Sequence, residues 1–149
     1  MPNNAGMAGG TFPGLTVRLG DAITDWLPMS DEPKAPDRYQ LGRMLSFENG
    51  RMRSVFLLTD DVSDDLTNSV VLAIRTDRAC VAGLVTGTTT LEDWRAALGE
   101  PDATLELDED EAEAMRMVPG TSDYYTIDIY RLRLHADTDG ILRSMVLMQ

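Results

Sequence analysis

Few side chains in this sequence can do covalent or metal chemistry. There is one cysteine, Cys80, and one histidine, His135. One of each cannot complete a zinc site, which takes about three or four ligands. A Cys–His nucleophile pair is the remaining option for them. Against it, Cys80 lies in the apolar stretch ACVAGLV, where a buried, inert thiol is expected. His135 stands near a hairpin end and is expected to be exposed and idle. A single cysteine forms no internal disulfide. No GxGxxG, Walker A, HExxH or GxSxG motif occurs. A hydrolase working with two carboxylates alone would need a pair held in a shaped cleft. The carboxylates here fall mostly in solvated, loop-like sequence. Neither DEDE nor DDVSDD fits the calcium loop of an EF-hand, with its glycine at the sixth position and glutamate at the twelfth. A calcium site of another kind in either run stays open; otherwise the sequence predicts no enzyme, no metal and no cofactor.

Carboxylates carry the remaining signal. The 149 residues hold 25 acids and 13 bases, a net charge of −12. Residues 1–75 hold 10 acids and 7 bases, while residues 76–149 hold 15 acids and 6 bases, so the excess is local. Its centre is LELDEDEAEAM, with Glu106, Asp108, Glu109, Asp110, Glu111 and Glu113. Such a field repels nucleic acid and anionic lipid and attracts basic proteins. A solvated acidic loop that keeps the chain soluble is the plainer account. Tyr124 and Tyr125 follow closely. They are candidate anchors of a protein contact, with strand packing as the alternative.

The elements that would position these groups are legible in outline. Hydrophobic residues make up 43% and charged residues 26% of the chain, a globular profile. No apolar run reaches the roughly 18 residues of a membrane helix. The first residues lack a basic start and an apolar core, so no signal peptide is read and a cytoplasmic protein is expected. Residues 1–13 read as a flexible tail and 14–149 as one domain. Asp21 can cap a short helix bearing Ile23, Trp26 and Leu27, ended by Pro28. Asn49-Gly50 between two β-prone runs predicts a hairpin. SVVLAIRT and ACVAGLVT, around Asp77-Arg78, predict a second, with central strands. Thr90 and Asp93 form a capping box. Leu91, Trp94, Ala97 and Leu98 supply a helical stripe, and Gly99 and Pro101 end it, so a helix is predicted over 91–98. The run DEDEAEAMRM has helix-forming composition. A third hairpin turns at Asp137–Gly140. The opposite parity of Ile127/Ile129 and Leu132/Leu134 predicts a β-bulge near Tyr130–Arg131.

The chain also resembles itself. ENGRMRSVFL at 48–57 matches TDGILRSMVL at 138–147, aligning Gly50 with Gly140 and Arg53-Ser54 with Arg143-Ser144. GLTVRLGDAITDWLP resembles GLVTGTTTLEDWRAALGEP, with Trp26 on Trp94, which makes both tryptophans core anchors. Two repeats, 14–75 and 76–149, follow, the second enlarged by the acidic stretch and the tyrosines. A unit of one helix and a few strands buries its faces best by sharing a sheet with its copy. The predicted class is α+β: two tandem helix-plus-antiparallel-strand repeats forming one antiparallel sheet, with short helices on one face.

Gly87, Thr88, Trp94, Leu98, Gly99 and Pro101, followed by a tyrosine-rich strand and a DG hairpin, carry a resemblance. The segment 83–147 resembles the SmpA/BamE-like and β-lactamase-inhibitory-protein-like superfamily. The first unit fits through Gly20, Ile23, Trp26 and Pro28. The chain departs from that pattern in having no lipobox cysteine and no disulfide pair. The resemblance implies a scaffold used to bind proteins. Joined to the acidic stretch, it leads to an expectation of a non-catalytic inhibitor. The reading is an immunity protein that neutralises a cognate bacterial toxin by blocking a basic active-site cleft. The same scaffold could serve an adaptor, secretion chaperone or assembly factor. The expected partner in either case is a basic protein, with neither nucleic acid nor membrane involved.

Overall fold

The computed structural model describes Phe12 and residues 18–22, 40–45, 52–58, 70–81, 83–115 and 117–148. The element order is β1 (Gln40–Leu45), β2 (Met52–Leu58), β3 (Ala73–Val81), β4 (Leu84–Val85), α1 (Leu91–Leu98), β5 (Ala103–Leu107), α2 (Glu109–Ala114), β6 (Gly120–Ile127), β7 (Tyr130–Asp137) and β8 (Leu142–Met148). Seven strands form one sheet in the order β1-β2-β3-β8-β7-β6-β5, and β4 pairs with the end of β3. Every pairing is antiparallel. The α+β class is therefore correct.

The sheet forms from local hairpins and one distant closure. β1 and β2 pair with Leu45 opposite Val55, the hairpin that Asn49-Gly50 predicts. β7 and β8 pair around Asp137–Gly140. There the Asp137 carboxylate accepts the backbone N–H groups of Asp139 and Ile141, the local bonding that makes Asp a turn residue. The closure is β3 on β8, with Ile74 opposite Leu147.

Two hairpin expectations are corrected. β3 runs straight through Asp77 and Arg78 instead of turning there, and only a short return, Val81 to Leu84, follows it. The neighbour β2 keeps pairing across that point, Ser54 with Arg78 and Met52 with Ala79. That pairing, bulged by register shifts on either side of Ser54, outweighs a polar dipeptide as a turn signal. At the other site, the parity change is a tight turn and not a bulge. β6 ends at Ile127, β7 begins at Tyr130 opposite it, and Asp128 takes φ 58° between them. Aspartate tolerates that left-handed conformation. A register shift does occur, but between β7 and β8, where Ser144 faces His135 and Leu142 faces Ala136.

Helix α1 follows its sequence signals. Thr90 Oγ1 accepts from the Asp93 N–H at 3.1 Å, and the Asp93 carboxylate accepts from the Thr90 N–H at 3.2 Å. Gly99 ends it at φ 88° and ψ −166°, a positive-φ stop outside the left-handed helical region that was expected. The loop before α1 is tied to the β7–β8 turn, with Leu91 N–H donating to the Gly140 carbonyl and Leu142 N–H to that of Thr89. Trp94 is fully buried with Ile74, Ile127, Leu132, Leu134, Met145 and Leu147. Phe12, assigned by sequence to the tail, is fully buried in the same core. The first helix with Ile23, Trp26 and Leu27 lies outside the described residues.

The two faces of the sheet differ in chemistry. Strand alternation puts Asp123, Tyr125 and Ile127 of β6 toward α1, and Ser122 and Tyr124 away from it. The helices of the two repeats were expected on one face; α1 packs on one face, and its counterpart lies outside the described residues. The C-terminal end of α2 bonds to Arg75 and Arg133, side chains of the face opposite α1.

Candidate functional site

The acidic stretch is ordered. Asp108 caps α2: its carboxylate accepts from the Glu111 N–H at 2.8 Å, and the Glu111 carboxylate accepts from the Asp108 N–H at 3.3 Å. Carboxylates also suit the positive end of a helix. Ala112 is the residue of α2 that is buried, and Met115 ends the helix. Glu106 lies on the edge strand β5, where it accepts from the Thr121 hydroxyl at 2.9 Å. Glu106, Asp108 and Glu111 therefore have local structural work. Glu109, Asp110 and Glu113 are exposed and make no hydrogen bond or ion pair among the described residues. The structure gathers these carboxylates at the β5 edge of the sheet.

The tyrosines separate. Tyr125 is buried, and its hydroxyl donates to the Gly99 carbonyl at 2.9 Å. Burial pushes its phenol up to about 12. Tyr125 thus locks β6 to the end of α1 and offers no surface to a partner, against the expectation of an anchor. Tyr124 is half-exposed on the opposite face. The guanidinium carbons of Arg131 and Arg133 stand 5.2 Å and 5.3 Å from its ring centroid. These are cation–π distances.

Two buried polar clusters were not read from the sequence. On the α1 face, the fully buried Asp123 accepts from Trp94 Nε1 at 2.8 Å, from Arg95 Nε and Nη2 at 2.7 Å each, and from the Thr104 hydroxyl at 2.8 Å. Burial alone would raise its pKa, yet the bonds from Arg95, Trp94 and Thr104 hold it below the usual carboxylate range. The bond to Asp123 raises the Arg95 pKa in turn, against burial. One signal was available: a buried tryptophan N–H requires an acceptor.

On the opposite face, His135 is fully buried and not exposed. Its Nε2 meets the Val118 carbonyl at 2.6 Å, and its Nδ1 meets Ser122 Oγ at 2.7 Å. A carbonyl only accepts, so Nε2 carries the proton and Ser122 donates to Nδ1. Ser122 Oγ accepts from Arg133 Nε at 2.8 Å. Burial lowers the His135 pKa, and the nearby Arg133 and Arg75 add to the effect, so the ring is neutral. Arg75 bonds to Asp77 at 2.9 Å and donates to the Met115 carbonyl at 3.2 Å. Met115 and Val118 are thereby strapped across this face. A shallow cleft of about 390 Å³ opens beside the strap, lined by Arg75, Asp77, Met117, Val118, Arg143 and Ser144. The pattern Arg131-Leu132-Arg133-Leu134 was the sequence signal for this face: alternate leucines in the core put the arginines together on the other side.

Cys80, expected to be buried, is exposed near the end of β3. Among the described residues, no group of three or more His, Cys, Asp or Glu side chains could hold a metal ion. None of the described helices is long and apolar enough to cross a membrane.

No family model and no curated protein matches the chain. Its fold is similar to the crystal structure of YjgB, a DUF4309 family protein of Bacillus subtilis, with a TM-score of 0.57. That likeness spans 99% of this chain and 86% of the other at 16% identity, a likeness of fold alone.

Proposed function

We propose that this chain is a non-catalytic protein-binding inhibitor, a cytoplasmic immunity protein that neutralises a cognate bacterial toxin. The observation that carries the reading is the acidic helix α2. It follows β5 directly, its own cap is closed and Ala112 is buried, while its Glu109, Asp110 and Glu113 side chains stand in solvent. A surface charge field of one sign speeds encounter with a partner of the other sign. In this reading the acidic surface covers a basic active-site cleft. Tyr124 replaces the tyrosine pair as the aromatic contact. A two-repeat origin of the fold belongs to the same proposal, resting on the matched segments 48–57 and 138–147.

The second reading is an adaptor, secretion chaperone or assembly factor that uses the same surface. The exposed edge strand β5 favours it, because an open edge can accept a strand from a partner. Capture of partners from native lysate at low salt separates the two. A single basic protein, toxic when expressed alone and released by about 0.5 M salt, is the immunity outcome. Secretion or envelope components are the adaptor outcome. With the partner in hand, Glu109→Lys, Asp110→Lys and Glu113→Lys together should slow association at low salt about tenfold or more. An unchanged association rate removes the steering role of α2.

A further inference from the structure

The polar face of the sheet holds a charge with no opposite among the described residues. Arg133 is 9% exposed. Its Nε donates to Ser122 Oγ at 2.8 Å and its Nη2 to Met115 Sδ at 3.5 Å. Both acceptors are uncharged, and a thioether sulfur is a weak one. Among the described residues no carboxylate reaches it, and the neighbouring charge is a second guanidinium, Arg75. A buried cation is ordinarily paired with an anion. Asp123, on the neighbouring strand β6 and facing the other side of the sheet, shows that this chain pairs a buried charge when it has the partner.

Arg131 lies two residues along β7, on the same face, and is exposed. It makes no hydrogen bond or ion pair among the described residues. Tyr124 sits on β6 directly opposite Arg133 in the ladder. Its ring touches both guanidiniums, so one aromatic plane fixes two cationic forks. The site has a buried floor in Arg133 and an open arm in Arg131. Met115, whose sulfur stands at the Arg133 nitrogen, is 42% exposed, so the acceptor that a ligand would displace lies at the surface.

We propose that Arg131 and Arg133, held against Tyr124, form a binding site for a phosphate-class oxyanion, either inorganic phosphate or a phosphate monoester. Guanidinium forks match the oxygens of carboxylate and phosphate. A carboxylate has two oxygens in one plane and satisfies one fork. A tetrahedral phosphate turns separate oxygen pairs toward two forks at once. A compact anion also suits the setting, because the net charge of −12 repels an extended polyanion.

The test is a titration of the full chain, followed by amide and arginine Nε–H NMR shifts at constant low ionic strength. Sodium phosphate is one titrant and phenyl phosphate the other, with sodium chloride held in balance. The expected result is a saturable shift centred on β6 and β7. Arg131→Gln, an exposed change that leaves the fold intact by circular dichroism, should weaken binding about tenfold or more, the loss of one charge-assisted fork. Tighter binding of phenyl phosphate assigns the site to esters, and equal binding assigns it to free phosphate. Absence of a saturable shift with both titrants, or shifts unchanged in Arg131→Gln, overturns the proposal.

Discussion

Strand β6 buries a carboxylate on one face and helps to bury a guanidinium on the other, in unlike company. Asp123 receives two nitrogens of Arg95, one of Trp94 and the hydroxyl of Thr104. Arg133 meets a serine oxygen and a methionine sulfur. The first cluster is complete within the chain, so it fastens α1 and β5 to the sheet. The second leaves a charge unmatched within the described residues, so it is the one with capacity for a ligand. Burial of a charge does not by itself distinguish structural from functional groups. The tally of partners does.

Substitutions test that contrast, beginning where the effect is largest. Asp123→Ala strips the acceptor from Arg95 and from a buried indole N–H, and should lower stability by about 3 kcal/mol in a urea titration. A loss below about 1 kcal/mol would mean that the α1-face cluster contributes little. The next effect is on pH dependence. The His135 pKa is held below 6.5 in the fold, so the unfolded chain takes up a proton first. Stability should fall as pH drops below about 6.5, by up to about 1.4 kcal/mol per pH unit, and be unaffected by this group above it. His135→Gln should flatten the profile between pH 7 and 5. Asp123 and Asp137 act with the other sign in a lower window. Their folded pKa values lie below 3.8, so their contribution is present at neutral pH and lost as pH falls through the lowered values. Two separate acid limbs in a stability profile, of which only the upper disappears in His135→Gln, would confirm the assignment.

Arg133→Met sharpens the contrast further. It removes a buried cation without stranding a carboxylate, so the free protein should change by less than about 1 kcal/mol, in either direction. A loss as large as that of Asp123→Ala would show that Arg133 has a counter-charge after all. Smallest of all, Glu109→Gln with Asp110→Asn should leave the melting free energy within about 0.5 kcal/mol, as expected for exposed side chains. A larger loss would make α2 part of the scaffold and weaken its reading as a contact surface.

How much of this was legible in the sequence follows from the range of each interaction. α1 was read almost to the residue, because Thr90, Asp93, Trp94 and Gly99 act within one or two helical turns. The β1–β2 and β7–β8 hairpins were read for the same reason. The Asp77-Arg78 turn failed because the pairing that keeps β3 extended comes from β2, more than fifteen residues upstream. His135 and Cys80 were placed on the wrong side of the surface for a related cause. His135 is covered by the strap at Val118, and Cys80 lies at the ragged end of β3, beyond its pairing with β8. The expected carboxylates stand together at the end of β5 and on α2. That Glu106 meets Thr121, and which tyrosine faces the core, depended on the register of β6 against β5 and β7. The arginine face is masked in the sequence by the leucines between its residues, which dominate the apolar pattern.

The pairing of β3 with β8 also sets an order of assembly. Strands β5 to β8 are neighbours along the chain and can zip as a meander, bringing Arg131, Arg133 and Tyr124 together early. Arg75 joins them only when Ile74 finds Leu147, a loop of about seventy residues whose closure must be met before its contacts repay it. The strap at Met115 is fastened by that late arrival. A chain stalled before closure would hold the anion site ready-made and the acidic helix loose, and amide exchange should find α2 protected last.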